Sequence, residues 1–286
     1  MSRFSVKRTC ILSQVRCRST ARMRTFCSSM TYSDQSRGGH PRFFFEQLPQ
    51  YKGNVVRVQG DEFIHITRVL RLTTNDRIEL FDGKGSLVKG SIQTVDRSGI
   101  DVVAIENRKS IPHRGPTWHV FSAFGTLKGG RADWLIEKCT ELGAFSVTPL
   151  LTNRSDSISE NRIDRLLRVI LAATKQSQRL HEMLLNPPLR VEDILPLVSE
   201  SELALLASAE APALGTVMPS VKENSTGLII IGPEGDFTDK EVKMMTEAGA
   251  KQVGLGRLRL RVETATVSLL AALMLMADSQ HESDAV

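Results

Sequence analysis

The hydrophobic pattern is most regular in the last quarter of the chain. Residues 228–231 are consecutive aliphatic residues, which predicts a strand buried on both faces, and the GPEG stretch at residues 232–235 ends it. Thr238 and Glu241 have the spacing of a capping box, so a helix is expected to begin there and run to Ala248. This stretch therefore predicts a strand, a glycine-rich turn and a helix in direct succession.

The same order repeats immediately afterwards. Residues 253–255 predict a second short buried strand, which Gly256 ends. Arginines then alternate with leucines over residues 257–261, and an apolar helix is predicted over residues 263–276. Two glycine-bearing turns are thus expected at the carboxyl ends of neighbouring strands, the usual place of a ligand site in an open α/β sheet.

The chemistry of these turns argues against a nucleotide phosphate as the ligand. Glu234 and Asp236 would repel a pyrophosphate, and neither GxxxxGK[ST] nor GxGxxG is present. Backbone amides and carbonyls beside carboxylates suit a neutral or cationic ligand better. A purely structural interpretation, in which the glycines only permit tight turns, is open for either turn taken singly.

Residues 41–108 show the short alternating segments of a small β-rich domain. The DGKG sequence at residues 82–85 is a hairpin turn signal, and a helix is predicted over residues 61–70. The predicted strands are residues 42–45, 77–81, 87–95 and 100–106. Pro112, Gly115 and Pro116 mark a linker over residues 109–117.

Residues 118–280 alternate strand and helix patterns, which predicts an α/β domain with a mainly parallel sheet. The predicted strands before the glycine turns are residues 119–124, 145–151 and 203–207. A helix is predicted over residues 131–142, and the apolar spacing over residues 163–174 predicts a longer amphipathic helix.

IGPEGDF, followed by LGRLRLRVETA, closely resembles the two signature loops of the RsmE-type 16S rRNA (uracil-N3)-methyltransferases of the SPOUT superfamily. PRFFFEQ, HITRVLRL, DGKG, LIEKCTELGAFSVTPL and ATKQSQR are similar to other blocks of that family, in the same order. The resemblance implies a C-terminal SPOUT-type domain, a trefoil-knotted and mainly parallel sheet with helices, after a small N-terminal PUA-like, RNA-binding β-barrel. It further implies a homodimer that uses S-adenosyl-L-methionine, and no metal, to methylate N3 of a uridine in small-subunit rRNA.

Site residues follow from the resemblance position by position. Arg261 is expected to orient the uracil or its anion, and Glu263 to orient that arginine or accept the proton, although Glu263 could also simply stabilise a helix N-terminus. The expected cofactor-binding residues are Gly232, Glu234, Gly235, Leu255, Gly256 and Leu260. The expected RNA-binding residues, each of which could also be an ordinary charged surface residue, are Arg42, Arg68, Arg71, Lys128 and Arg179.

Two positions depart from the family pattern. Asp236 stands where the family usually has a second glycine, and Val262 where it commonly has a threonine. Neither change removes a reactive group, so both question the geometry of the loops more than the activity.

The composition of residues 1–33 sets them apart from the rest of the chain as a leader segment. Residues 1–33 contain seven Arg or Lys residues, many Ser and Thr residues and no acidic residue, which predicts an organelle transit peptide, mitochondrial by its arginine content or alternatively plastid. A disordered basic tail that binds RNA is the other interpretation. Of 37 basic and 32 acidic residues in the chain, 30 and 32 remain without the leader, a net charge of −2. RNA binding would therefore need a local basic patch.

Other classes are disfavoured by what the sequence lacks. No apolar run approaches a membrane span, so no membrane partner is expected, and no CxxC pair indicates zinc or a disulfide framework. Two alternatives to the predicted activity remain: a catalytically idle RNA-binding factor in ribosome assembly, and a SPOUT methyltransferase for another RNA base. Small-subunit rRNA, or the small ribosomal subunit itself, is the expected partner.

Overall fold

The computed structural model of the protein describes residues 39–125, 127–155, 158–218, 220–221 and 225–283, with side chains up to residue 278. The predicted leader, residues 1–33, lies outside the described residues. The strands are β1 Arg42–Phe44, β2 Val55–Val58, β3 Arg77–Phe81, β4 Ser86–Val95, β5 Ile100–Ala104, β6 Lys109–Ser110, β7 Thr117–Ser122, β8 Ser146–Leu151, β9 Leu184–Leu185, β10 Leu189–Arg190, β11 Ala204–Ala207, β12 Thr226–Ile231 and β13 Lys251–Val253. The helices are α1 Gly60–Ile64, α2 Arg131–Glu141, α3 Glu160–Ser177, α4 Val191–Glu200, α5 Leu214–Val217, α6 Asp239–Glu247 and α7 Val262–Ser283.

The described residues form two compact units. The first comprises residues 39–113 and 174–182, and the second comprises residues 114–173 and 183–283. No helix in the described part of the chain combines the length and the apolar composition that crossing a membrane requires.

The first unit is built on a sheet of strands in the order β1-β3-β4-β5-β2, with β6 paired to β4. Strand β1 pairs with β3 in parallel, and the other pairs are antiparallel. Gly83 and Gly85 have φ values of 69° and 86° between β3 and β4, which confirms the hairpin turn predicted there.

The helix predicted over residues 61–70 is correct in position but not in regularity. Helix α1 ends at Ile64, and a π-helical turn, His65–Val69, replaces the rest, with Leu70 N donating to His65 O at 3.0 Å. The extra residue in this turn rotates the face, so Ile66 is fully buried while Leu70 is exposed. The helical spacing of Phe63, Ile66 and Leu70 predicts one apolar face, and this prediction is wrong for Leu70.

The second unit is a wholly parallel sheet in the order β10-β8-β7-β12-β11-β13, with β9 paired to β8. In β12, Ile229 and Ile231 pack on one face with helices α2, α3 and α7, while Leu228 and Ile230 pack on the other with α4 and α6. The strand is thus buried on both faces, as its unbroken aliphatic run predicts. Because every strand is parallel, the carboxyl ends of β11, β12 and β13 meet at one edge of the sheet.

Candidate active site

The carboxyl ends of these strands border a cavity of about 300 Å³ in the second unit. Two segments enclose most of it: the first loop, residues 232–237 after β12, and the second loop, residues 254–261 between β13 and α7. The lining residues are Ala207, Ser208, Ala209, Ile231, Gly232, Pro233, Glu234, Asp236, Leu255, Gly256, Leu258, Arg259, Leu260, Arg261, Val262 and Ala265.

One sequence expectation about this edge is wrong. The strands β12 and β13 are not neighbours, because β11 lies between them and pairs with both. The end of β11 and the residues after it, Ala207 to Ala209, therefore form a third wall of the cavity. Sequence reasoning missed this wall, since small residues after a short strand carry no local signal for a ligand site.

The first loop is held by the helix that follows it. Thr238 caps α6, with its Oγ1 accepting from Glu241 N at 3.3 Å and its backbone N donating to Glu241 Oε2 at 2.8 Å, so the predicted capping box is confirmed. The buried carboxylate of Glu241 also accepts from Asn153 N at 2.9 Å. Nearby, Arg154 Nη1 donates to Gly235 O at 2.6 Å. The loop is thereby fixed to the segment after β8.

Asp236 takes the backbone conformation that a glycine would adopt most easily. Its φ is 63°, in the left-handed region, and its Oδ1 accepts from Phe237 N at 2.9 Å. A Cβ at Gly232 would lie 3.0 Å from the Phe237 ring and 3.3 Å from Asp236 Oδ1. The departure from the family pattern is thus accommodated by a local hydrogen bond, and the loop closes tightly around Gly232.

The second loop is anchored at its start and open beyond it. A Cβ at Gly254 would meet Ala211 O at 2.4 Å, so only glycine fits this close backbone approach. Gly256 has a φ of 114°, and most side chains of the loop beyond it are exposed, with Leu258 at 81%. Arg259 Nη2 donates to Glu234 O at 2.9 Å, which links the second loop to the first.

Arg131, at the N-terminus of α2, contacts both the first loop and α7. Arg131 Nη2 lies 3.4 Å from Glu234 Oε1, and its Nη1 lies 3.4 Å from Glu263 Oε1. Glu263 is 6% exposed, and its Oε2 is buried without a hydrogen-bond partner among the described residues. Beside the cavity, one guanidinium thus faces two carboxylates.

The structure brings together most of the residues expected at the cofactor. Gly232, Glu234, Leu255, Gly256 and Leu260 line the cavity, and so does Arg261. Two other expected residues are outside the lining set: Gly235 contacts Arg154, and Glu263, next to the lining residue Val262, contacts Arg131. The roles expected of all these residues stay predictions.

The expected RNA-binding residues differ in their surroundings. In the first unit, Arg42 is 9% exposed and forms an ion pair with Glu79 at 2.8 Å, which is the setting of a structural residue. Arg68 and Arg71 are exposed, and Arg179 Nε donates to His181 O. In the second unit, Lys128 is exposed just before α2. None of these placements tests RNA binding, which stays a prediction for all five.

The described residues contain no group of three or more His, Cys, Asp or Glu side chains that could hold a metal ion. The polar groups at the cavity are carboxylates, guanidinium groups and loop backbone. This donor set can bind a small organic molecule and hold a charged group beside it.

The family model of the RNA methyltransferase domain matches residues 113–274, more than half of the chain, and that of the RNA methyltransferase PUA domain matches residues 58–105. Ribosomal RNA small subunit methyltransferase E of Bacillus subtilis is 27% identical over 81% of this chain and 95% of the relative. The protein of the same name from Mesomycoplasma hyopneumoniae is 30% identical over 54% of this chain and 69% of the relative.

The fold is also that of a solved relative. The crystal structure of a ribosomal RNA small subunit methyltransferase E from Neisseria gonorrhoeae, bound to S-adenosyl methionine, superposes with a TM-score of 0.65 at 24% identity, over 84% of this chain and 98% of that one. With the match to the family model and the order of its domains, this chain belongs to the RNA methyltransferase family, in the group of ribosomal RNA small subunit methyltransferase E.

Proposed function

We propose that the protein transfers the methyl group of S-adenosyl-L-methionine to N3 of a uridine in the small-subunit rRNA of an organelle ribosome. The observation that carries this proposal is the cavity between the first and second loops, lined by five of the six residues expected at the cofactor. The relatives from Bacillus subtilis and Mesomycoplasma hyopneumoniae are named for action on the small subunit, and the relative from Neisseria gonorrhoeae binds the same methyl donor.

The residues at the cavity fit such a donor. Its volume of about 300 Å³ lies at the lower end of ordinary ligand pockets. Apolar side chains, among them Leu255, Leu260 and Val262, would cover the adenosyl part, and the loop backbone would bind its polar edges. The carboxylates of Glu234 and Asp236 can face the positive groups of such a donor, and the guanidinium groups of Arg259 and Arg261 balance their charge in the lining.

The protein's own residues have to position the base and remove its proton. When bound, S-adenosyl-L-methionine would supply an electrophilic methyl group. As the bond from this methyl carbon to N3 forms and its bond to sulfur breaks, N3 loses its proton. Arg261, on the cavity wall, would hold the uracil oxygens and stabilise the developing anion, and Glu263 would accept the proton before passing it to water.

N3 lies on the Watson–Crick edge of uracil. The target uridine must therefore be unpaired or rotated out of a helix before its N3 can enter the cavity. Exposed arginines of the first unit, Arg68 and Arg71, would hold the surrounding RNA through its phosphates.

Two further parts of the proposal concern assembly. We place the chain in a homodimer, because Trp134 on α2 and Leu275 on α7 are large apolar side chains left exposed on helices that pack together. The trefoil knot that the resemblance implies is part of the same proposal. Sedimentation measurements on the full chain test the dimer, and a monomer at micromolar concentration would contradict it.

The organelle address is tested separately from the chemistry. Residues 1–33 fused to a fluorescent protein are expected to direct it to mitochondria, because basic, hydroxyl-rich and acid-poor leaders are read by the import machinery. Import into plastids would change the organelle, and a cytosolic fusion would reject the transit peptide.

The activity is tested by incubating the protein with small ribosomal subunits, or with their naked rRNA, and isotopically labelled S-adenosyl-L-methionine. The rRNA is then digested to nucleosides and analysed by mass spectrometry. Labelled 3-methyluridine supports the proposal. A different methylated nucleoside would contradict the N3 assignment, whereas absence of both methylation and donor binding would favour the idle RNA-binding factor.

A further inference from the structure

We propose that Arg131 is a positioning residue for methyl transfer. Its guanidinium holds Glu263 and the first loop in a fixed position relative to each other. The proposal rests on the function proposed above. Local sequence pattern gives Arg131 only the position of a first helical residue after Gly130, and its contacts with Glu234 and Glu263 exist only in the folded structure.

The geometry of Arg131 joins three segments that are far apart in the sequence. Its guanidinium lies 3.4 Å from Glu234, 103 residues later, and 3.4 Å from Glu263, 132 residues later. One carboxylate belongs to the first loop and the other to the N-terminus of α7. A planar guanidinium has donors that point in fixed directions, so it can hold two carboxylates at a defined separation.

Burial makes the contact with Glu263 the more important of the two. Glu263 is buried, and a buried carboxylate is strongly unfavourable without a cationic partner. Arg131 reaches only Oε1, so Oε2 keeps its capacity to accept a hydrogen bond. An orphaned oxygen of this kind in a buried carboxylate indicates a partner that arrives from outside, and the N3–H of a bound uracil has the required donor chemistry.

The charge balance agrees with this role. Around the cavity, Glu234, Asp236 and Glu263 balance Arg131, Arg259 and Arg261, so Arg131 orients two acidic groups without making the site net positive. A contact that served only to stabilise the fold would work equally well on any surface of α2. Such a contact exists on the same helix, where Asp133 pairs with Arg165.

The variants follow from this contrast. Arg131→Met removes the charge, and Arg131→Lys keeps the charge but not the two-directional geometry. Arg165→Met is the matched control, because it removes from α3 the partner of Asp133, which lies on the same helix as Arg131. All are made in the full chain, and circular dichroism checks that each is folded. Should Arg131→Met fail to fold, the comparison of Arg131→Lys with the unsubstituted protein carries the test by itself.

Two measurements, hydrogen–deuterium exchange and methylation kinetics, are made on each folded variant. Hydrogen–deuterium exchange without ligand should be faster in residues 232–237 and at the start of α7 for Arg131→Met than for Arg165→Met. In methylation kinetics, Arg131→Met should lower kcat about 100-fold, as expected for a small misplacement of the reacting groups. Its KM for RNA should change by less than about threefold. Arg131→Lys should recover part of kcat, and Arg165→Met should leave kcat unchanged.

A double-mutant cycle with Glu263→Gln separates positioning from simple loss of stability. If Arg131 acts through Glu263, Arg131→Met should lower kcat much less in the Glu263→Gln background than in the unsubstituted protein. Additive effects in the cycle, or folded Arg131 variants with unchanged kcat and exchange, would overturn the inference. An unsubstituted protein that neither binds the donor nor methylates RNA would overturn the proposed function instead, so the two failures are distinguishable.

Discussion

The first and second loops border the same cavity but are constructed in different ways. The first loop is tied at several points: Glu241 holds its helical end, Arg154 holds Gly235 and Arg131 reaches Glu234. The second loop is anchored at Gly254 and then carries mostly exposed side chains up to Arg261. We infer that the first loop is a preformed wall, whereas the second adapts to the ligand. Substitutions in the two loops should therefore affect stability and binding in different proportions.

The largest expected effect on stability comes from Glu241, which holds the first loop. Glu241→Ala leaves the amides of Thr238 and Asn153 without their acceptor and should lower the free energy of unfolding by about 3 kcal/mol. Denaturant unfolding measures this loss. Glu247→Ala is the control, because its exposed pair with Lys243 on the same helix should contribute less than about 0.5 kcal/mol. Equal losses in both variants would contradict a braced first loop.

Gly256 tests the second loop through its backbone. With φ at 114°, Gly256→Ala should cost about 2 kcal/mol of unfolding free energy by strain, although no atom lies within 4 Å of the added Cβ. If the loop can adapt, it moves to relieve part of this strain, so the loss of unfolding free energy is smaller. The moved loop no longer fits the donor, so donor affinity falls more than stability does. Thermal unfolding and calorimetry measure both quantities. Gly215→Ala, also in open space but at an ordinary φ, is the control and should change neither.

Substitutions of Asp236 test whether its local hydrogen bond offsets the backbone strain of a non-glycine residue in the first loop. Asp236→Ala keeps the left-handed φ and loses the bond to Phe237 N, so we expect a destabilisation of about 1.5 kcal/mol. Asp236→Gly loses the bond but relieves the strain, and its unfolding free energy should stay within about 0.5 kcal/mol of the unsubstituted protein. An alanine variant as stable as the glycine variant would show that the loop relaxes, in contrast to its proposed rigidity.

The smallest effect on stability is expected from Arg259, the link from the second loop to the first. Arg259→Met removes an exposed hydrogen bond to Glu234 O and should change the unfolding free energy by less than about 0.5 kcal/mol. Because the link closes one loop over the other, dissociation of the donor should be several-fold faster in stopped-flow measurements. An unchanged dissociation rate would contradict the idea that the second loop closes over the bound donor.

The same contrast explains what the sequence could predict. Local patterns identified β12, the capping box of Thr238 and Glu241 and both glycine turns, because each depends on residues a few positions apart. Helix α4 is not predicted from the sequence, because Pro196 lies within it and proline normally indicates the end of a helix. The place of β11 between β12 and β13 is not predicted either, since strand order depends on packing across the whole sheet.

Contacts between distant residues were beyond sequence reasoning for the same reason. Nothing near Arg42 indicates that Glu79, on the strand beside it, would take its guanidinium into a buried pair. Likewise, the local sequence places Arg131 only at the start of a helix, and its contacts with Glu234 and Glu263 exist only after three segments have assembled. The resemblance to a family identified the loops, but the side chains behind them required the structure.

The central claim is that the cavity between the two loops binds S-adenosyl-L-methionine, and calorimetric titration of the full chain tests it most directly. The unsubstituted protein should show saturable binding. Gly232→Val should abolish it, because the added side chain displaces Phe237 and Asp236 at the cavity wall, while Gly215→Val should bind normally. A folded protein that does not bind the donor, or a folded Gly232→Val variant with unchanged affinity, would contradict the account.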